Sequence, residues 1–212
     1  MLPFSRPAAF NLTNSTPLLL TYGEGISPKH TLNIHDVDGH GKEWTVQASV
    51  SKVSIYNSKN LTLRLPGRIV TSTMDIWKAS NLTVIIGSGS DSASSPLGTL
   101  QLDPTLEDVH IEYVDSAAVG RIVIAPLLSS ARDGSASFGF RDVTLQAGNE
   151  ERFLLADRSG TLFDPTERDQ ARAIEPTETS ARSLGAQLVV SWKDGWHMTG
   201  LERGAMDYPI LS

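Results

Sequence analysis

The feature that most constrains this chain is a repeat. The segment Val53-Ser54-Ile55-Tyr56-Asn57-Ser58-Lys59-Asn60-Leu61-Thr62-Leu63-Arg64-Leu65 returns as Met74-Asp75-Ile76-Trp77-Lys78-Ala79-Ser80-Asn81-Leu82-Thr83-Val84-Ile85-Ile86, with Asn60 and Asn81 in equivalent places 21 positions apart. Leu100-Gln101-Leu102-Asp103, followed by Val109-His110-Ile111-Glu112-Tyr113, makes a third copy with one residue inserted in its turn. A looser fourth runs from Gly120-Arg121-Ile122-Val123-Ile124 to Phe140-Arg141-Asp142-Val143-Thr144-Leu145. Within each copy, apolar and polar residues alternate over two short stretches separated by a polar corner. That period of two marks a strand with one buried face. Recurrence at about 20 residues, built from such strands, is the sequence form of a solenoid whose coils stack and pair through the backbone. The expectation is an all-β fold: a short right-handed parallel β-helix with a C-terminal β-hairpin arm. A β-sandwich also has short strands at regular spacing, but it gives no reason for the copies to resemble one another.

The repeat predicts which side chains face inward. Val53, Ile55, Leu61, Leu63 and Leu65 should be buried, with Met74, Ile76, Leu82, Val84 and Ile86 beneath them. Asn60 and Asn81 fall at corners, where asparagine tolerates left-handed backbone angles better than most residues. Outside the repeat, residues 1–30 read as an N-terminal arm and 31–147 as the β-helix coils. Residues 148–185 read as an acidic, partly mobile loop with one helical turn near Glu167–Ala173, and 186–212 as a C-terminal hairpin and tail, all in a single domain. At the head of the coils, Leu32-Asn33-Ile34-His35 and Trp44-Thr45-Val46 flank Asp36-Val37-Asp38-Gly39 and read as a hairpin. At the far end, Gln187-Leu188-Val189-Val190-Ser191-Trp192 turns at Lys193-Asp194-Gly195 into the closing hairpin.

Composition narrows the functional classes. The net charge of −6 argues against a nucleic-acid binder, which needs clustered lysine and arginine. With no cysteine there is no disulfide framework, thiolate metal site or cysteine nucleophile. No apolar run is long enough for a membrane-spanning helix, and the N-terminus lacks the pattern of a signal peptide. A cytoplasmic location is the resulting expectation. Four Asn-x-Ser/Thr triplets begin at Asn11, Asn14, Asn60 and Asn81. The last two sit at corners of the repeat and read as structural.

If Ile55 and Ile76 point inward, Tyr56 and Trp77 point outward one coil apart, about 5 Å from each other. Two stacked aromatics flanked by Lys59, Arg64 and Lys78 are the expected binding surface, since a few aromatic and basic residues carry most of the energy of a protein interface. His35, Asp36, Asp38 and His40 form the one cluster with a metal-like composition. Counted from Asp36, however, the twelfth position of a calcium loop holds Gln47 rather than a bidentate glutamate. Asp and Gly serve a turn for backbone reasons alone, so neither a metal nor another cofactor is expected. Asp103 and Glu112 are the acids that would be paired if the β-helix had been recruited for acid–base chemistry. Neither a nucleophile elbow nor a phosphate-cradling loop is present, because Gly87-Ser88-Gly89-Ser90 lacks the lysine such a loop requires.

Gly41-Lys42-Glu43-Trp44 opening the coils, the Asn-centred corners, Gly67-Arg68-Ile69 between coils and the closing Trp192-Lys193-Asp194-Gly195 together resemble the C-terminal domain of cyclase-associated proteins. That fold is shared with tubulin-folding cofactor C. The resemblance covers residues 41–147 and 186–200. It implies a right-handed β-helix that forms a homodimer through its C-terminal strands and binds monomeric actin. The Gln-x-Arg triplet that supplies an arginine in cofactor C has one counterpart, Gln170-Ala171-Arg172, which lies outside the coils. The leading expectation is thus a protein-binding β-helix module, without nucleic-acid or membrane partners. Two others stand beside it: a small-molecule- or carbohydrate-acting lyase, cyclase or hydrolase on the same scaffold, and a structural dimerisation domain.

Overall fold

The structure, a computed structural model, describes residues 8–23, 25–87, 97–124, 139–150, 152–165, 172–174 and 186–202. Its strands are β1 (Ala8–Asn11), β2 (Leu19–Leu20), β3 (His30–His35), β4 (Asp38–Val46), β5 (Lys52–Leu65), β6 (Thr73–Ile86), β7 (Leu97–Leu102) and β8 (Leu106–Tyr113). A single 3-10 turn follows at Ser116–Ala118, then β9 (Val119–Ile124) and β10 (Phe140–Ala147). The remainder is β11 (Phe153–Ala156), β12 (Leu162–Asp164), β13 (Arg172–Ile174), β14 (Ala186–Trp192) and β15 (Trp196–Glu202).

These strands wind as a parallel β-helix of about five turns. One sheet stacks β1, β3, the first half of β5, the first half of β6, β7 and β9, all parallel. The second stacks β2, β4, the second halves of β5 and β6, then β8 and β10, also parallel. β5 and β6 run through both sheets, bending at the corner between them. A narrow third side is closed by the bridge between Val50 and Ile69. The 21-residue spacing of the sequence appears directly as register: Val53 pairs with Met74, Ile55 with Ile76 and Leu61 with Leu82. One inserted residue in the next turn is also real, since Ile76 pairs with Leu102 but Ala79 with Leu106.

Alternation then sends one side chain of every two into a shared interior. All ten side chains that the repeat predicts to be inward are at most 5% exposed. Leu32, Ile34, Leu100, Leu102, Ile122 and Ile124 extend their stacks in both directions, as do Trp44, Val46, Ile111, Tyr113, Val143 and Leu145. Burying each such side chain is favourable by about 1.5–3 kcal/mol, which is what holds coils together in the absence of disulfides.

The corner between the sheets is a repeated backbone device. Asn57 and Asn60 have φ of 48° and 55°, Lys78 and Asn81 52° and 46°, Thr105 and Asp108 70° and 53°. Gly139 and Asp142 continue the same spacing of three at φ 63° and 53°. Between each left-handed pair, one residue points into the core: Ser58, Ala79, Leu106 or Phe140. Asparagine and glycine reach this region at least cost.

The segments flanking the central coils differ in part from what the sequence suggests. The expected hairpin at 32–46 does not form, because β3 and β4 pair with β5 and not with each other. Asp36-Val37-Asp38-Gly39 is instead a corner of the helix. Val37 is buried there, and Lys59 donates its backbone N–H to Val37 O at 2.8 Å. A corner and a hairpin turn call for the same residue types, so pairing partners far along the chain decided between them. Residues 8–20, expected as an arm, pair in parallel with the next turn through β1 and β2. Within the acidic segment, β11 and β12 form an antiparallel meander on β10. Arg172–Ile174 is a strand rather than part of a helical turn. The rest of the 167–173 turn, including Gln170 and Ala171, lies outside the described residues. β14 closes the first sheet antiparallel on β9, and β15 folds back on β14 as the expected C-terminal hairpin.

Candidate functional site

On the solvent side of the first sheet, most outward positions are polar: Thr31, Asn33, Lys52, Ser54, Asp75 and Gln101. The row at the corner end is different. His35 pairs with Tyr56 and Tyr56 with Trp77, so three rings stand in one line down the helix axis. Tyr56 and Trp77 have ring centroids 4.9 Å apart at 38°, matching the coil-to-coil spacing of adjacent strands. His35 meets Tyr56 edge-on at 5.9 Å and 86°, and Trp77 at 6.2 Å. Its Nε2 bonds Ser54 Oγ at 2.9 Å, which fixes the imidazole against the sheet. Both larger rings are half-buried.

Of the three cations expected beside the pair, one joins it. Lys78 Nζ lies 5.3 Å from the Tyr56 centroid and 3.4 Å from its hydroxyl, as donor. Lys59 sits on the corner with its ammonium 3.4 Å from Asp38 Oδ2. Arg64 belongs to the second sheet, where its Nε donates to Glu43 Oε1 at 2.6 Å. The site is therefore Tyr56, Trp77 and Lys78, with His35 added. His35 was legible: it precedes Tyr56 by the same 21 positions that separate Tyr56 from Trp77. Reading 32–46 as a hairpin hid it.

The residues of metal-like composition have other occupations. Asn57 Nδ2 donates to Asp36 Oδ1 at 2.6 Å, and Asn60 Nδ2 to Asp38 Oδ1 at 2.9 Å. The Asn60 amide, and then the His40 N–H, hold the Asp38 carboxyl below the usual carboxylate range. His40 Nδ1 lies 3.6 Å from Asp38 Oδ1, while His35 bonds Ser54. Among the described residues no group of three or more His, Asp or Glu side chains is placed to hold a metal ion. The two acids considered for acid–base work are not brought together. Asp103 ends the first sheet, with both oxygens accepting from Gln101 Nε2 at 3.0 Å. Glu112 lies in β8 on the second sheet, its Oε2 3.9 Å from His110 Nε2.

Asn60 and Asn81 are accounted for by the corner. Asn81 Nδ2 donates to Asn60 Oδ1 at 2.9 Å, so both side-chain amides serve a ladder that ends on Asp38. Among the described residues no helix is long and apolar enough to cross a membrane. Comparison of the chain with protein-family models, with curated proteins and with solved structures finds no match.

Proposed function

We propose that this chain is a protein-binding β-helix module whose contact surface is the His35–Tyr56–Trp77 row with Lys78. The observation that carries the reading is the Tyr56–Trp77 pair, 4.9 Å apart on a sheet face whose other outward positions are mostly polar. Aromatic side chains of this kind supply large contact area at small entropic cost and dominate interface energetics. The geometry favours a protein over a sugar. Stacking a pyranose needs an open ring face, whereas here Tyr56 stands between the His35 and Trp77 rings.

Monomeric actin is the partner that the family resemblance brings forward, and a cytoplasmic location belongs to the same proposal. The test is binding of purified monomeric actin, together with the rate at which actin exchanges a fluorescent nucleotide. Micromolar binding that Trp77→Ala weakens by about 30-fold, the size of a hot-spot residue, is the expected result. No binding at micromolar protein removes actin from the proposal.

A homodimer through the C-terminal strands is the second part. Its support is the outer edge of β15, which pairs only with β14 among the described residues. An open strand edge is a template for another chain. Sedimentation across a micromolar concentration range should show a dimer, and Thr199→Pro in β15 should shift it to monomer. A monomer for the unmodified chain would end this part.

A further inference from the structure

We propose that the Tyr56–Trp77–Lys78 ridge receives an acidic peptide segment of the partner, with a carboxylate on Lys78 and a bulky apolar side chain against the ring edges. This rests on the reading of the aromatic row as a contact surface, and it adds the chemistry of what docks there.

The charge left over around the rings is positive. Around the rings, nearly every acid and cation is already held by a neighbour. Lys52 forms an ion pair with Asp75, and Lys59 lies beside Asp38. Asp36 accepts from Asn57, and Asp103 from Gln101. Lys78 is the exception. It is exposed, its ammonium contacts only the Tyr56 ring and hydroxyl, and no carboxylate is paired with it among the described residues. An exposed ammonium beside an aromatic pair, with no ion-pair partner, is matched by a carboxylate, whose ion pair is strengthened once apolar contact excludes water.

The backbone supplies the test. Lys78 occupies the left-handed region at φ 52°, where the preceding coil places Asn57 at 48°. Asn57 suits that conformation and gives its amide to Asp36. Lys78 instead gives its ammonium to the Tyr56 hydroxyl, while asparagine suits the left-handed backbone better.

Because asparagine is the native solution one coil earlier, Lys78→Asn removes the charge while keeping the corner intact. The experiment is selection of a random peptide library, displayed on phage, against the immobilised full chain. Lys78→Asn, Lys78→Arg and Trp77→Ala are run in parallel, with folding of each verified by circular dichroism. Recovered peptides should be enriched in Asp and Glu beside Phe, Leu or Trp, and depleted in Lys and Arg. Enrichment should fall at least tenfold on Lys78→Asn, persist on Lys78→Arg and disappear on Trp77→Ala. Peptides lost on Trp77→Ala but unchanged on Lys78→Asn would overturn the acidic partner and leave the contact surface standing. Peptides retained on both variants, or no enrichment at all, would overturn both.

Discussion

Asn60 and Asn81 each do two things at once. Their φ angles of 55° and 46° turn the chain between sheets, and their amides run from coil to coil. The ladder ends on Asp38, a carboxylate that only accepts, so the last amide is satisfied and nothing further need donate. Asn60→Ala loses both the backbone fit and the bonds, and should cost about 1–3 kcal/mol. Asn60→Gly keeps the backbone and should cost less; equal midpoints for the two variants in urea would show that the backbone term is absent. Tyr113 offers the opposite case. Its ring is fully buried, its hydroxyl has no partner among the described residues, and burial raises its pKa well above the ordinary tyrosine value. Tyr113→Phe removes an unsatisfied group at nearly constant shape, so it should raise stability by up to about 1–2 kcal/mol. His110 is half-buried with Nδ1 on Thr144 Oγ1 at 2.8 Å, and burial, followed by the Arg152 charge, lowers its pKa from 6.5 against the pull of Glu112. The folded state then binds its proton less readily than the unfolded one. The stability His110 contributes is complete above pH 6.5 and is lost as pH falls toward its lowered folded pKa. His110→Gln should flatten that limb of the stability–pH curve, measured by denaturant midpoints from neutral to mildly acidic pH. The corner asparagines could be read from their spacing alone. The environments of Tyr113 and His110 could not, because they depend on neighbours from other coils.

At the scale of elements, the length of a strand mattered less than the place where it bends. β5 and β6 are each 14 residues long and serve two sheets, which a reading of separate short strands already implied. What the residues of 32–46 concealed was partner choice. Asp and Gly fit a hairpin and a helix corner equally, and β5 was available to both β3 and β4. Close stacking also places demands that no local pattern announces. A Cβ on Gly120, at the start of β9, would run into the carbonyl oxygen of Leu97 and lie 2.7 Å from that of Gly98 in the coil before. Gly120→Ala must push β7 and β9 apart, at a cost of about 3 kcal/mol or more. A thermal midpoint within a degree of the unmodified chain would show that the coils yield there. Gly200, with nothing near its missing Cβ, is the control.

For the whole molecule, a solenoid makes each coil depend chiefly on its neighbours. β5 and β6 have partners on both sides in both sheets, whereas β1 and β2 are the last strands at their end. Amide hydrogen exchange should therefore be slowest in β5 and β6 and fastest in β1 and β2. Uniform protection across all coils would mean that the stack opens only as a unit. By itself the sequence determined the coil: its period, its inward residues, its asparagine corners and the neighbourhood of Tyr56 with Trp77, all of which follow from local alternation and self-similarity. Tertiary structure alone decided where coiling begins and how it is closed. Parallel pairing joins residues far apart in the chain, so the recruitment of residues 8–20 into the stack, the antiparallel caps of β11 and β14, and the isolation of Arg64 from the aromatic row were settled by which strand edges were left to be covered.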